Sequence, residues 1–450
     1  MNIYISGISG TGLGPLALMA HSAGFGVCGS DLSEGAVSRE LAEAGIEFKI
    51  GKQDGAYLKQ CFESGKVDWF VYTSALPKDH PELKLAEKLG LRISKRDELI
   101  AYLVEKLGLK MVAVAGTHGK TTTTSMIVWT ALNLGLPVSY LVGTTLPFAE
   151  AGKYDAGSDF LIYEADEYDK NFLHFFPWLS IITTVSYDHP DIYPTKLDYL
   201  RAFSKFESQS EQVIRGREIE GEAVSGNADT LDFTEKFKLA GKARRYDANL
   251  AMQAIFEMVE EVDMQTAEKS LIADHGSSST KKDYAGRAID EELIIEILND
   301  FPGVGRRFER IYDGVYSDYG HHPEEIAATV GVAKEEAERT GKSGVVLVYE
   351  PHQNTRQHEV FEEYKNAFLG VEKLYWLPTY LTRENPGLKV ITPEEFVTSL
   401  ENSEVGEKAE IGEELAQKLR KLREAGKLIL LMTAGPADKW LREVFNEKSI

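Results

Sequence analysis

Met111-Val112-Ala113-Val114-Ala115-Gly116-Thr117-His118-Gly119-Lys120-Thr121-Thr122-Thr123-Thr124-Ser125 is the stretch whose reading decides the fold. Its first five residues are wholly apolar, the pattern of a strand buried in a parallel sheet. Met126, Ile127, Trp129, Ala131 and Leu132 follow at helical spacing. A strand, a glycine-flanked Gly-Lys-Thr turn and a helix make a phosphate cradle, because backbone N–H groups and the helix N-terminus face the anion. Gly116, Thr117, Gly119, Lys120, Thr121 and Thr122 are its residues. Lys120 is expected along the outer phosphates, and the Thr121 hydroxyl on Mg²⁺.

Working outward, 450 residues exceed one ordinary core, so two or three domains are expected. An apolar content of 43% and a charged content of 27% are those of a soluble globular chain. No apolar run reaches membrane-spanning length, and the N-terminus carries no basic region followed by an apolar signal core. Cys28 and Cys61 give no disulfide framework; they read as packing residues in a reducing cytoplasm. A net charge of −21 argues against nucleic acid or an anionic membrane as partner. Any phosphorylated ligand must then be met by helix N-termini, a metal ion and a few placed Lys or Arg.

Upstream, Asn2–Ser6 reads as a strand, Gly7-Ile8-Ser9-Gly10-Thr11-Gly12 as a turn, and Leu13–Ala23 as a helix with Leu16, Ala17 and Ala20 inward. A second strand runs from Gly26 to Ser30 and ends at Asp31. Gly7, Gly10 and Gly12 let the backbone approach a pyrophosphate, and Asp31 is placed for a ribose or base edge. The usual occupant of such a turn is a nicotinamide dinucleotide, and an NAD-dependent oxidoreductase is the reading it suggests alone. The spacing here is G-x-x-G-x-G, however, and a second nucleotide loop follows directly. Trp69–Tyr72 is a further strand leading to Thr73 and Ser74. Ser94 is the expected N-cap of a helix that closes the first domain.

Downstream, Phe160–Tyr163 is an apolar strand running into Glu164, Asp166, Glu167 and Asp169, four carboxylates within six residues. Like charges packed at a strand end call for a cation, and a metal site is the simplest one. The next strand, Leu179–Val185, leads to Asp188-His189-Pro190-Asp191. Thr121, Glu164 and His189 are expected to converge at one edge of a parallel sheet. Residues 205–300 are polar, with an amphipathic helix at 246–262 and an exposed loop at 264–290. Phe301-Pro302-Gly303-Val304-Gly305 is a hinge by composition, followed by Arg306 and Arg307.

These motifs, in this order, resemble the Mur ligases, the amide-bond-forming enzymes of peptidoglycan precursor synthesis. The resemblance rests on Gly116-Thr117-x-Gly119-Lys120-Thr121, Glu164-Ala-Asp-Glu-x-Asp169, Asp188-His189-x-Asp191 and Asp318-Tyr-Gly-His321-His322-Pro323. It implies an α/β protein of three domains: a Rossmann-like UDP-binding domain at 1–107, a P-loop ATPase-like domain at 108–305, and a Rossmann-like C-terminal domain at 306–450. Thr121, Glu164 and His189 match the family's Mg²⁺ ligands. Lys120, His118, His189 and Glu164 carry the catalytic roles, and Arg307, Asp318 and His321 join the ATP site. Gly7, Gly10, Gly12, Asp31, Thr73 and Ser74 are assigned to the UDP-sugar, and His322, His352 and Arg356 to the incoming substrate.

Departures are also visible. Ser9 replaces a glycine of the first turn, and Thr184 an asparagine before Asp-His, which puts that asparagine's task in doubt because a hydroxyl lacks an amide's paired donor and acceptor. The adenine segment matches only at Gly241 and Ala248, with Ala243, Arg244 and Asp247 differing. The chemistry implied is ATP-dependent joining of L-alanine to UDP-N-acetylmuramate through an acyl phosphate, in a cytoplasmic monomer or homodimer. Glu350-Pro351 and Asn354-Thr355 resemble instead the family's murein-tripeptide recycling branch, and both branches stay open.

Overall fold

The computed structural model describes residues 1–73, 76–189, 192–216, 232–272, 289–381 and 384–446. The fold is α/β, built on three sheets of mostly parallel strands. The chain divides into two compact units, Met1–Lys238 with Tyr246–Pro302, and Leu239–Arg245 with Gly303–Ile450. The stretch read as a hinge contains the last of these crossings, at Pro302/Gly303.

The first unit holds two sheets. Strands β1 (Asn2–Ser6), β2 (Gly26–Asp31), β3 (Glu47–Ile50), β4 (Trp69–Tyr72) and β5 (Arg92–Lys95) run parallel in the order β3-β2-β1-β4-β5. The order reverses between β1 and β4, which opens a crevice at their carboxyl ends. The glycine turn leaves β1 there, and Thr73 follows β4. The helix Gly14–Ser22 keeps Leu16, Ala17 and Ala20 fully buried, as their spacing requires. Ser94 is not the N-cap expected of it. It lies in β5 and accepts a hydrogen bond from the buried Trp69 indole (2.8 Å), so the helix Arg96–Leu107 starts from Lys95.

The second sheet comprises β6 (Lys110–Ala115), β7 (Ser139–Leu141), β8 (Gly152–Lys153), β9 (Phe160–Glu164), β10 (Leu179–Ile182) and β11 (Gln212–Arg215), in the order β11-β10-β6-β9-β7-β8. Only β8 runs antiparallel, against β7. Register places Val114 of β6 opposite Glu164, and Ala115 opposite Ile182. The chain leaving β6 therefore enters the phosphate loop with the ends of β9 and β10 on either side. The expected strand 179–185 stops at Ile182, because Thr183 and Thr184 turn to the loop instead of continuing the ladder.

Both sheets share one apolar core, in which Leu99, Ile100 and Leu103 of the helix Arg96–Leu107 pack with Phe172, Phe175 and Phe206. The helix read at 246–262 is longer, Lys242–Ile272, so the first part of the expected 264–290 loop is helical. Residues 273–288 lie outside the described residues, and the helix Glu291–Asn299 follows.

The second unit carries β12 (Glu309–Tyr312), β13 (Val315–Asp318), β14 (Val345–Glu350), β15 (Lys373–Trp376), β16 (Gly406–Lys408) and β17 (Leu428–Thr433), in the order β12-β13-β17-β14-β15-β16 with β12 antiparallel. Cores cover both faces of this sheet, one around Tyr349, Trp376 and Phe396, the other around Val348, Leu419 and Leu441. Asp318, Glu350 and Thr433 come level at its carboxyl edge, since Asp318 pairs with Met432 and Glu350 with Thr433.

Candidate active site

Gly116 (φ +143°) and Gly119 (φ +81°) adopt backbone conformations that favour glycine. A Cβ at either would also collide, at 2.1 Å from Thr183 Oγ1 and 2.6 Å from Asp247 Oδ1. The helix Lys120–Asn133 starts from Gly119, with Thr122 half-buried in its first turn. Lys120 Nζ donates to Gly116 O (2.5 Å) and Thr117 O (3.1 Å) and pairs with both Glu167 oxygens (2.8 and 3.0 Å). Burial opposes its charge, but Glu167 and then Asp166 outweigh that and hold the ammonium pKa above its usual value. Burial likewise works against the Glu167 carboxylate, and Lys120 and His189 bring it below the usual range.

The four carboxylates after β9 separate in space. Glu164 Oε1 accepts from the Thr121 hydroxyl (2.7 Å) and Oε2 from Gly143 N–H (3.0 Å). Asp166 lies 3.7 Å from the Arg96 guanidinium, Glu167 holds Lys120, and Asp169 pairs with Lys95 (2.9 Å). The run called for a metal, with Glu164 its member matched to Mg²⁺ by the resemblance; the other three have cationic side chains of this chain beside them. Thr121 and Glu164 combine a hydroxyl and a carboxylate, hard oxygens that suit Mg²⁺. Their 2.7 Å spacing is near the ~2.9 Å edge of an octahedron with Mg–O bonds of 2.0–2.1 Å. His189 (φ +58°) has its Nε2 3.5 Å from Glu167 Oε1 and its ring edge-on to Tyr168. Glu167, only 2% exposed, thus touches two of the residues read as catalytic. Sequence reasoning quoted it without a role, since nothing in the motif says which acid meets the lysine.

Thr183 and Thr184, the latter at the missing asparagine's place, both bond the phosphate loop. Thr184 Oγ1 accepts from His118 N–H (2.9 Å), Thr183 Oγ1 donates to His118 C=O, and Thr184 C=O accepts from Thr117 N–H (2.8 Å). One hydroxyl thus accepts and the other donates at His118. Thr117 Oγ1 adds contacts to Ser186 O and Tyr199 OH, both 2.8 Å. Thr184→Val leaves the His118 N–H without its acceptor, and nucleotide affinity should fall about tenfold, within the range for one unmet buried donor. Titration calorimetry against Thr184→Asn, which should retain affinity, checks this.

At the first turn, Gly7 (φ +89°) lies against Thr73, whose Cγ2 is 3.5 Å from where a Cβ would stand. Gly10 N–H donates to Gly7 O (3.2 Å). Asp31 Oδ2 accepts from Ser9 N–H (2.9 Å), so part of that carboxylate closes the turn. Gly35 passes close to Ser9, and a Cβ there would stand 2.1 Å from the Ser9 carbonyl oxygen. Ser74 and Asp191 lie outside the described residues. Below the turn, buried Glu82 accepts from Tyr4, Ser6 and Ser30 hydroxyls (2.6–2.8 Å) and ties the ends of β1 and β2, a role no local pattern announces.

In the second unit, His321, His352 and Arg356 come together, and His322 caps the helix Pro323–Arg339 with its Nε2 3.9 Å from Glu363. Arg356 has only donors, so His321 Nε2 accepts from it and His321 Nδ1–H points to Tyr319 O (3.2 Å). Burial, then Arg356 and His352, press the His321 pKa down to about 4 against Glu325, and the ring is neutral at pH 7. Asp318 spends its oxygens on Phe308 and Gly320 N–H (2.7 Å each), and Arg307 stacks over Tyr319 at 4.9 Å. Arg306 reaches Thr433 O (2.6 Å), while Glu309 pairs with Arg442 and Asp313 with Arg310 and Lys342. Glu350 is buried, accepting from Thr433 Oγ1 and Ala437 N–H. In the adenine segment, Gly241–Arg245 belong to the second unit, and Asp247 in the first accepts from Thr123 Oγ1 (3.2 Å).

Comparison with known proteins adds two family matches, to the Mur ligase family catalytic domain over residues 2–106 and to the Mur ligase middle domain over residues 114–244. The UDP-N-acetylmuramate–L-alanine ligase of Clostridium acetobutylicum is 31% identical over 85% of this chain and 84% of its own. That of Clostridium tetani is 30% identical over 96% of this chain and 95% of its own. The crystal structure of the UDP-N-acetylmuramate–alanine ligase from Thermotoga maritima matches with a TM-score of 0.71 at 21% identity, over 99% of this chain and 98% of that one. A murein peptide ligase from Psychrobacter arcticus matches at 0.60 and 20% identity over the whole of both chains. These two likenesses speak for the fold.

Proposed function

This chain belongs to the Mur ligase family, and we propose that it joins L-alanine to the lactyl carboxylate of UDP-N-acetylmuramate at the expense of ATP. The observation that carries the reading is the meeting of Lys120, Thr121 and Glu164 where β6 and β9 end side by side. The extent of similarity to L-alanine ligases, 96% of the chain in one case, favours that amine. We divide the chain at 1–107 for the UDP-sugar, 108–305 for ATP and 306–450 for the amine, and infer a cytoplasmic protein from its use of ATP and a UDP-sugar. No helix among the described residues is long and apolar enough to cross a membrane.

In this reading the lactyl carboxylate attacks the γ-phosphorus of ATP, ADP leaves, and an acyl phosphate forms. The free amine of L-alanine attacks the acyl carbon, phosphate departs with the bonding pair, and the amine loses a proton. Such transfers need charge stabilisation and positioning more than covalent help. Lys120 meets the charge on the transferring group, and the Thr183–Thr184 clamp holds the loop's N–H groups in place. Bound Mg²⁺, held by Thr121 and Glu164 with His189, would neutralise phosphate oxygens. No side chain is required as a nucleophile.

Arg356 is the proposed partner of the alanine carboxylate, with neutral His321 fixing one edge of its guanidinium. Arg356→Met should weaken L-alanine use about tenfold to a hundredfold, about 1.4 to 2.7 kcal/mol, and leave ATP affinity unchanged. Equal losses in ATP and alanine would make the residue structural. A second reading, murein tripeptide as the amine, is favoured by Glu350-Pro351 and Asn354-Thr355. Phosphate release with L-alanine against the tripeptide decides between them, and a faster tripeptide reaction by the unmutated enzyme overturns the L-alanine assignment.

A further inference from the structure

The glycine turn after β1 has a guanidinium against it that no motif assigned. A Cβ on Gly12 would stand 2.8 Å from Arg96 Nη1. The side chain of Arg96 is 22% exposed, and its Nη2 is 3.7 Å from Asp166 Oδ2, beyond a close ion pair. Tyr163 is a further neighbour, and its hydroxyl is buried without a hydrogen-bond partner among the described residues. The residues flanking Arg96 differ from it in this respect, because Lys95 closes on Asp169 at 2.9 Å and Asp97 on His174.

We propose that Arg96 is a diphosphate-binding residue of the nucleotide-sugar site, with its guanidinium shared between the substrate's diphosphate at Gly12 and the carboxylate of Asp166. The proposal rests on the reading of the first sheet as the UDP-binding domain and adds the cation that reading lacks. A nucleoside diphosphate brings at least two negative charges to a chain whose own net charge is −21. Backbone N–H groups at the turn supply partial charges only. A planar guanidinium offers two parallel donors to phosphate oxygens, which a lysine cannot reproduce. Arg96 comes from the start of the helix after β5, and Asp166 from the segment after β9. One side chain thereby touches the turn of the first sheet and the acidic segment of the second.

The test is calorimetric titration of UDP, and separately of Mg-ATP, into the full-length protein and three variants. Arg96→Met should weaken UDP about tenfold to a hundredfold, the range for loss of charge-assisted bonds, with Mg-ATP affinity held within twofold. Arg96→Lys should recover part of the loss, since charge returns without the fork. Asp166→Asn should bind UDP at least as well as the unmutated chain, because the guanidinium is then released to the ligand. UDP binding unchanged in Arg96→Met overturns the proposal, and so does parallel loss of UDP and Mg-ATP, which marks a structural contact. An unmutated protein that binds no UDP sinks the reading of the domain itself, a result distinct from either.

Discussion

Lys120→Ala is expected to lower turnover about 10³-fold or more, since the charge it meets develops on the transferring phosphoryl group in a water-poor site. The structure adds a second consequence that the motif does not contain. Lys120 is the close cationic partner of Glu167, a carboxylate only 2% exposed. Removing one member of a buried pair typically costs about 3 to 5 kcal/mol, because the other charge stays behind uncompensated. The melting temperature should therefore fall along with the rate. Lys120→Ala combined with Glu167→Gln separates the two effects: it should recover most of the stability and none of the turnover. Single-turnover phosphate release, read beside calorimetric melting, is the measurement. A single variant within tenfold of normal turnover would remove Lys120 from the chemistry.

Glu164→Ala should lower turnover about 10²-fold and raise the Mg²⁺ concentration for half-maximal rate by about tenfold, as expected when a divalent ion loses one of few protein ligands. The comparison that gives this meaning is Asp169→Asn. Both residues belong to the same acidic run, but Glu164 touches Thr121 and Asp169 touches Lys95. Mg²⁺ titrations should therefore shift for Glu164→Ala and stay put for Asp169→Asn. Equal shifts would return the metal to the acidic run as a whole. An unshifted Glu164→Ala would take it away from β9 altogether.

Much of the protein was legible locally. The strands Asn2–Ser6 and Trp69–Tyr72 and the strand–loop–helix at 110–133 could be read from short apolar runs bounded by glycine and followed by helical spacing. Such features are written in neighbouring residues, because side-chain period and steric freedom are local properties. The candidate site was also legible as a set of residue types: a lysine and threonine after one strand, acids after a second, a histidine after a third. Their partners were not. Glu164 meets Thr121 from 43 positions away, Glu167 meets Lys120 from 47, and Thr184 meets His118 from 66.

Those pairings exist because β6 lies between β9 and β10, with Val114 opposite Glu164 and Ala115 opposite Ile182. Nothing local to Ser94 or Arg96 announces the Trp69 indole or the turn at Gly12 that lie beside them. The sequence by itself determined the elements, their order and the chemistry available at each strand end. Tertiary structure alone decided which acid meets Thr121, which holds the lysine and which cation meets the first turn, since strand order and register place charges that no local period connects.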